Sequence, residues 1–255
     1  MKTNWLSRFV ITVIALISIG FFSWPLFISA ESSAQSGVAQ ASFMLLMPLL
    51  VALVLVEFSA GAIDSRQLAI LGVLIALNSV IRLLGAGTAG IETIFFLILI
   101  AAYVFGSSFG YVLGAASLAV SALISGGVGP WLPFQMMAAG LLGLAAGALP
   151  KFEGRRARLV TLIVFAVIGS FVYGSLMTMW NWPFLAGEGG SIGYLPGGGV
   201  WQNLTRFFAY EFVTGGFLWD LGRAVTTSVL IWLTAPALLA TLERAARRAG
   251  VKTTV

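Results

Sequence analysis

Two opposite charges stand three residues apart inside an apolar run, in Trp219-Asp-Leu-Gly-Arg223. On a helix that spacing puts Asp220 and Arg223 on one face, where carboxylate and guanidinium can pair. Other isolated polar residues interrupt apolar runs in the same way. Asn78 is followed one turn later by Arg82, Glu92 opens a run, Gln135 begins another, and Asn181 lies just past the end of a later one. A charge at the centre of a bilayer costs roughly 2.5–3.5 kcal/mol on insertion scales, so ionisable groups in such runs need a reason. Arg82 and Arg223 suit a carboxylate or phosphate on a ligand. Asp220 and Glu92 are the residues that could couple to protons. Plainer readings stand beside these. Arg82 can snorkel to headgroups, Glu92 can cap a helix N-terminus, and Asp220 with Arg223 can be a structural ion pair.

Several chemistries are excluded. The chain has no cysteine and no histidine, which rules out disulfides, Cys/His metal sites and His-dependent triads. The glycine-rich stretch Ser125-Gly-Gly-Val-Gly-Pro-Trp-Leu-Pro-Phe-Gln135 lacks the Gly-Lys-Ser/Thr ending of a phosphate loop, and no Walker A sequence occurs elsewhere. The chain therefore cannot drive transport by its own ATP hydrolysis. No constellation of residues supports an enzyme, and no cofactor is expected. The sequon Asn203-Leu-Thr205 is read as chance.

The elements that must position these residues are set by composition. Of 255 residues, 59% are hydrophobic and 9% charged, against about 25% charged in a soluble domain. Mean hydropathy is +1.01. The fold expected is all-α, a polytopic membrane protein of about eight transmembrane helices. The segments are roughly 9–30, 41–60, 67–84, 92–107, 110–126, 133–150, 158–180 and 217–241. The fourth and fifth are short and meet at a tight turn, Gly106-Ser-Ser-Phe-Gly110. An amphipathic lead-in, 201–216, precedes the eighth. The first segment is read as a retained helix, although the small residues after Ala30 also resemble a signal-peptide cleavage site.

Orientation follows from the basic residues. With both termini cytoplasmic, eleven of the fourteen Lys and Arg residues fall inside: Lys2, Arg8, Arg66, the Lys151–Arg158 cluster and the tail from Arg244 to Lys252. The net charge of +5 is explained by this bias. The polar residues singled out above then share one depth, near the outer face, beneath the loops 85–91, 126–132 and 181–216. Trp131, Trp180, Trp182, Trp201 and Trp219 gather at the same boundary, either as an interfacial belt or as flat walls for a ring-bearing ligand. Gly106, Gly110 and Gly114, with Gly140, Gly143 and Gly147, have the spacing of close helix packing. Gly72 and Ala76 form a further small pair that a partner could contact.

The run Phe95-Phe-Leu-Ile-Leu-Ile-Ala-Ala-Tyr-Val-Phe-Gly-Ser-Ser-Phe-Gly-Tyr-Val-Leu-Gly114, then Ser121 to Met136 with its Gly-Pro-Trp-Leu-Pro-Phe-Gln core, and Trp219-Asp-Leu-Gly-Arg-Ala224 resemble the substrate-binding S components of energy-coupling factor (ECF) vitamin transporters. The resemblance covers about residues 67–243. It implies a six-helix core, here assigned to 63–255; the two additional N-terminal helices, within 1–62, depart from that pattern. It implies a vitamin or related micronutrient bound at the extracellular face, with the closest likeness to S components for cobalamin or its precursors. It also implies a transmembrane coupling protein and two cytoplasmic ATPases as partners. The loops that follow the first, third and fifth core helices build the site in that family, and these are the three loops placed outside by charge. The candidate ligand contacts, taken from the shared outer depth, are Asn78, Arg82, Glu92, Trp131, Gln135, Trp180, Asn181, Asp220 and Arg223. The family's Ala-xxx-Ala contact for the coupling protein maps to Gly72 and Ala76, with one alanine replaced by glycine. The alternatives are a self-sufficient proton-coupled secondary transporter and a non-transporting membrane scaffold.

Overall fold

In a computed structural model, residues 13, 16–27, 65–85, 88–186 and 190–250 are described. They form an all-α bundle. A single turn, α1 (Trp24–Phe27), is followed by α2 (Ser65–Leu84), α3 (Phe95–Phe105), α4 (Ser107–Ser125), α5 (Leu132–Gly147), α6 (Arg155–Ala186), α7 (Val200–Val213) and α8 (Gly216–Arg248). Four of these, α2, α4, α6 and α8, are long and apolar enough to cross a bilayer, and α3 and α5 are shorter apolar helices. The expected span 41–60 and most of 1–62 lie outside the described residues.

Three expectations shift. The segment 92–107, expected to be short, holds a helix shorter still. Its helix, α3, has 11 residues, about 16 Å at 1.5 Å per residue, roughly half the hydrocarbon thickness. It survives because protein rather than lipid surrounds it: every residue but Val104 is buried. The turn after it is one residue, not five. Gly106, at φ 97°, separates α3 from α4, and Gly110 already lies inside α4. Glycine is suited here because that backbone angle disfavours a side chain. Finally, α6 and α8 run longer than 158–180 and 217–241. Their 32 and 33 residues extend about 50 Å, so both helices continue beyond the hydrocarbon.

The closest seam joins α4 to α5. A Cβ at Gly110 or Gly143 would strike the other's backbone, one at Gly114 would strike the Ala139 carbonyl, and one at Gly147 would strike Gly106 and Ser107. Since lipid tails are as apolar as leucine, helices in a membrane are held by such dispersion contact rather than by a hydrophobic drive. The apolar side chains left outside, among them Leu68, Val73, Leu77 and Val80 of α2 and Val225, Val229 and Leu233 of α8, suit lipid contact.

One end of the bundle collects the basic residues. Arg66 Nη1 donates to the Arg248 carbonyl at 3.2 Å, and Arg158 Nη1 pairs with Glu243 Oε1 at 2.6 Å. Lys151 Nζ donates to the Tyr103 carbonyl at 2.5 Å, in the last turn of α3, and lies 4.0 Å from the Tyr103 ring centroid. There it complements the negative helix end. Burial nonetheless pushes its ammonium down to about 8.

Candidate functional site

At the opposite end of the bundle, α2, α4, α5, α6, α8 and the loop after α2 enclose a cavity of about 690 Å³. Its polar wall comes from Arg82, Thr88, Glu92, Thr93, Ser125, Gln135, Tyr173 and Arg223. Leu83, Ile94, Leu118, Met177 and Trp219 supply apolar surface.

The loop from Gly85 to Ile94 is drawn into place from both sides. Thr93 Oγ1 donates to the Ile81 carbonyl at 2.6 Å, which fastens it to the end of α2. The 3₁₀ turn Thr88–Gly90 lies on α8. Gly90 has φ 77°, and a Cβ there would strike the Trp219 carbonyl, so both backbone angle and close approach demand glycine. This brings Glu92 to Arg223.

Arg223 is the hub. Its Nη1 lies 2.5 Å from Asp220 Oδ1 and donates to the Ser170 carbonyl at 3.1 Å, while Nη2 lies 2.8 Å from Glu92 Oε1. The guanidinium carbon stands 4.9 Å from the Tyr173 ring centroid, within cation–π range. Asp220 fits because α6 has Gly174 opposite, where a Cβ would collide with the carboxylate. The i,i+3 pairing read from the sequence is therefore present, with Glu92 as a third member. Glu92 does not cap α3, whose first turn follows Ile94 without a side-chain cap.

Arg82 is placed differently. Its Nη1 donates to Ser121 Oγ of α4 at 3.0 Å, and among the described residues no carboxylate lies within ion-pair distance of it. One turn deeper, Asn78 is fully buried between α2 and its neighbours. Among the described residues, neither of its side-chain polar atoms has a partner, nor does Ser117 Oγ.

Of the residues singled out from the sequence, Arg82, Glu92, Gln135 and Arg223 line the cavity. Asp220 stands behind Arg223 as its buried counter-ion. The others lie off the lining. Trp131 is about half exposed, with its ring across Gly129. Trp180 is buried in an aromatic cluster, stacked on Phe134 with centroids 4.1 Å apart, and its carbonyl accepts a hydrogen bond from Trp24 Nε1 at 3.1 Å. Asn181, the next residue along α6, is half-buried. Gly72 and Ala76 are exposed on α2, and a Cβ built at Gly72 meets nothing within 4 Å.

The region 181–216, expected to roof the site, contributes no lining residue among those described. It has its own small core, Trp182, Tyr194 and Phe207. Asn203 is committed there, exchanging hydrogen bonds with the Leu195 amide and carbonyl at 3.1 and 3.0 Å. Arg206 Nη1 donates to the carbonyls of Gly190 and Gly193 at 2.8 and 2.9 Å.

Sequence reasoning missed Tyr173, Met177 and the threonines of the 85–94 loop among the lining residues, and off the lining it missed the buried carboxyl of Glu211. Tyr173 and Met177 stand in a long apolar run with nothing beside them to attract notice. Glu211 carried a usable signal: it shares one face of the amphipathic α7 with buried Asn203 and Phe207. Burial raises its carboxyl above the usual range, opposed by a hydrogen bond with Thr178 and by the charge of Arg223.

The family described as "ECF transporter, substrate-specific component" matches residues 66–242, more than two thirds of the chain. Among curated proteins and solved structures, none matches.

Proposed function

The chain belongs to the substrate-specific components of ECF transporters, and on that premise we propose that it binds a vitamin or related micronutrient in the cavity beneath Glu92 and Arg223. The observation that carries the reading is the cavity itself. It lies at the end of the bundle away from Arg66, Lys151, Arg158 and Arg248, which is the outer end when basic loops face the cytoplasm. Both termini are then cytoplasmic in a cell-membrane protein.

A volume of about 690 Å³ falls in the range of drug-sized ligand sites. It favours a compact micronutrient, or a fragment of the cobalamin class, over an intact cobalamin, which would protrude from it. Uptake is driven from outside this chain, by a transmembrane coupling protein and two cytoplasmic ATPases. Gly72 and Ala76 are the proposed contact with the coupling protein, because they present small residues on an open face of α2. A proton-coupled secondary transporter is less well supported, since Asp220 and Glu92 both engage Arg223.

The test is reconstitution. Liposomes holding this chain alone bind a micronutrient but do not concentrate it, and liposomes that also hold the coupling protein and ATPases concentrate it when ATP is supplied. Accumulation by the chain alone under a proton gradient sinks the reading.

A further inference from the structure

Resting on the reading of the cavity as a ligand site, we propose that the ligand is an organic anion, bearing a carboxylate or phosphate, and that Arg82 receives it. Two cations line the cavity, and they are not equivalent. The charge of Arg223 is already answered: its two terminal nitrogens meet Asp220, Glu92 and the Ser170 carbonyl, which leaves only Nε without a partner among the described residues. Two carboxylates balance its charge, so a third anion at Arg223 would have to displace one of them. Arg82 has a neutral partner instead, the Ser121 hydroxyl at 3.0 Å, and no carboxylate within 4.0 Å among the described residues. A guanidinium has five donors, and a fork of two meets a carboxylate or phosphate with matched geometry.

Its position argues against simple snorkelling to the headgroups. Arg82 follows buried Asn78 by one turn and reaches a side chain of α4, so it faces into the bundle. The lipid side of the same turn carries Val80 and Leu84. Half-buried at the cavity wall, this cation has no counter-ion among the described residues, and an anionic ligand supplies the missing charge. Glu92, the acidic group on the same wall, already meets Arg223. Glu211 is not among the lining residues of the cavity. The anion required could belong to a solute or to a phospholipid headgroup, and the test separates the two.

The full chain is purified in maltoside micelles without added phospholipid. The probe is the low-molecular-weight fraction of a cell extract, divided on an anion-exchange resin into retained and flow-through pools. The retained pool is expected to raise Tm and the flow-through pool to leave it unchanged. Arg82→Gln is expected to need at least about tenfold more of the retained pool for the same shift, the loss of one charge-assisted hydrogen-bonded contact. Arg82→Lys keeps the charge and retains part of the response, which preserves the test should Arg82→Gln fold poorly.

Stabilisation by the flow-through pool, or an Arg82→Gln protein that responds as the parent does, overturns the proposal. So does a shift reproduced by added phosphatidylglycerol alone and abolished by Arg82→Gln, which assigns Arg82 to a headgroup. If neither pool stabilises the parent chain, the anion proposal falls as well. Co-purification with a coupling protein then decides the transporter reading on its own.

Discussion

Arg223 Nη2 lies 2.8 Å from Glu92 Oε1 across a sequence separation of 131 residues, and its Nη1 lies 2.5 Å from Asp220 on the same helix. One guanidinium thus ties the loop after α2 to α8 at the wall of the cavity. Arg223→Ala leaves two carboxylates without their cation. Breaking a buried pair costs about 3–5 kcal/mol, so the variant should lose folded yield and Tm before any question of affinity arises. Glu92→Gln keeps a neutral acceptor for Nη2 and should cost less. Thermal unfolding of the two variants checks the order, and equal losses would count against a shared hub.

Glycines at two places make opposite predictions. Gly143→Ala puts a methyl group against the Gly110 backbone, and overpacking of this kind costs about 1–3 kcal/mol. Gly72→Leu enters open space and should change stability by no more than about 0.5 kcal/mol. If the proposed contact is right, Gly72→Leu still binds ligand but no longer co-purifies with the coupling protein. Size-exclusion profiles and a pull-down measure both halves, and intact co-purification removes Gly72 from the interface.

Lys151 sets a pH dependence at the basic end of the bundle. Burial lowers its folded pKa to about 8 from 10.5. Between those values the unfolded chain holds a proton that the folded chain has released, so stability contributed by this group rises with pH across that window. Tm measured from pH 7.5 to 10.5 should climb more in the parent than in Lys151→Met. A parent curve that falls relative to the variant contradicts the assignment.

Asn78 is buried, and both its polar side-chain atoms lack a partner among the described residues. An unpaired amide in an apolar setting costs roughly 1–3 kcal/mol. Asn78→Leu, of similar size, should therefore hold or raise Tm. A drop of several degrees would show that Asn78 bonds a water or ligand that stabilises the protein.

What could be read from the sequence was local or compositional. The pairing of Asp220 with Arg223 follows from a spacing of three, the seam between α4 and α5 follows from glycines about four apart, and the basic end follows from charge bias. The Glu92–Arg223 tie was not legible, because nothing in either neighbourhood marks a partner 131 residues away. The length of α3 was hidden for a related reason. A helix buried on all sides has no polar face, so its apolar run Phe95–Phe105 looks like a bilayer crossing. The aromatic boundary misled in the other direction. Trp180 and Trp219 have the same composition and depth, yet Trp180 stacks on Phe134 and Trp219 faces the cavity. Which way a ring turns depends on packing between helices, and one-dimensional spacing does not carry it.

The α4–α5 seam has a mechanical consequence. Where Gly110 meets Gly143, two backbones touch with no side chain between them to change rotamer or slide. Such a joint has almost no internal slack. With Lys151 bonded to the Tyr103 carbonyl and Tyr103 Oη donating to the Pro150 carbonyl at 3.0 Å, α3 is clamped to the same plank. A torque applied at one end would be passed to the other without being absorbed, and these three helices would swing together like a door rather than fold like a hinge.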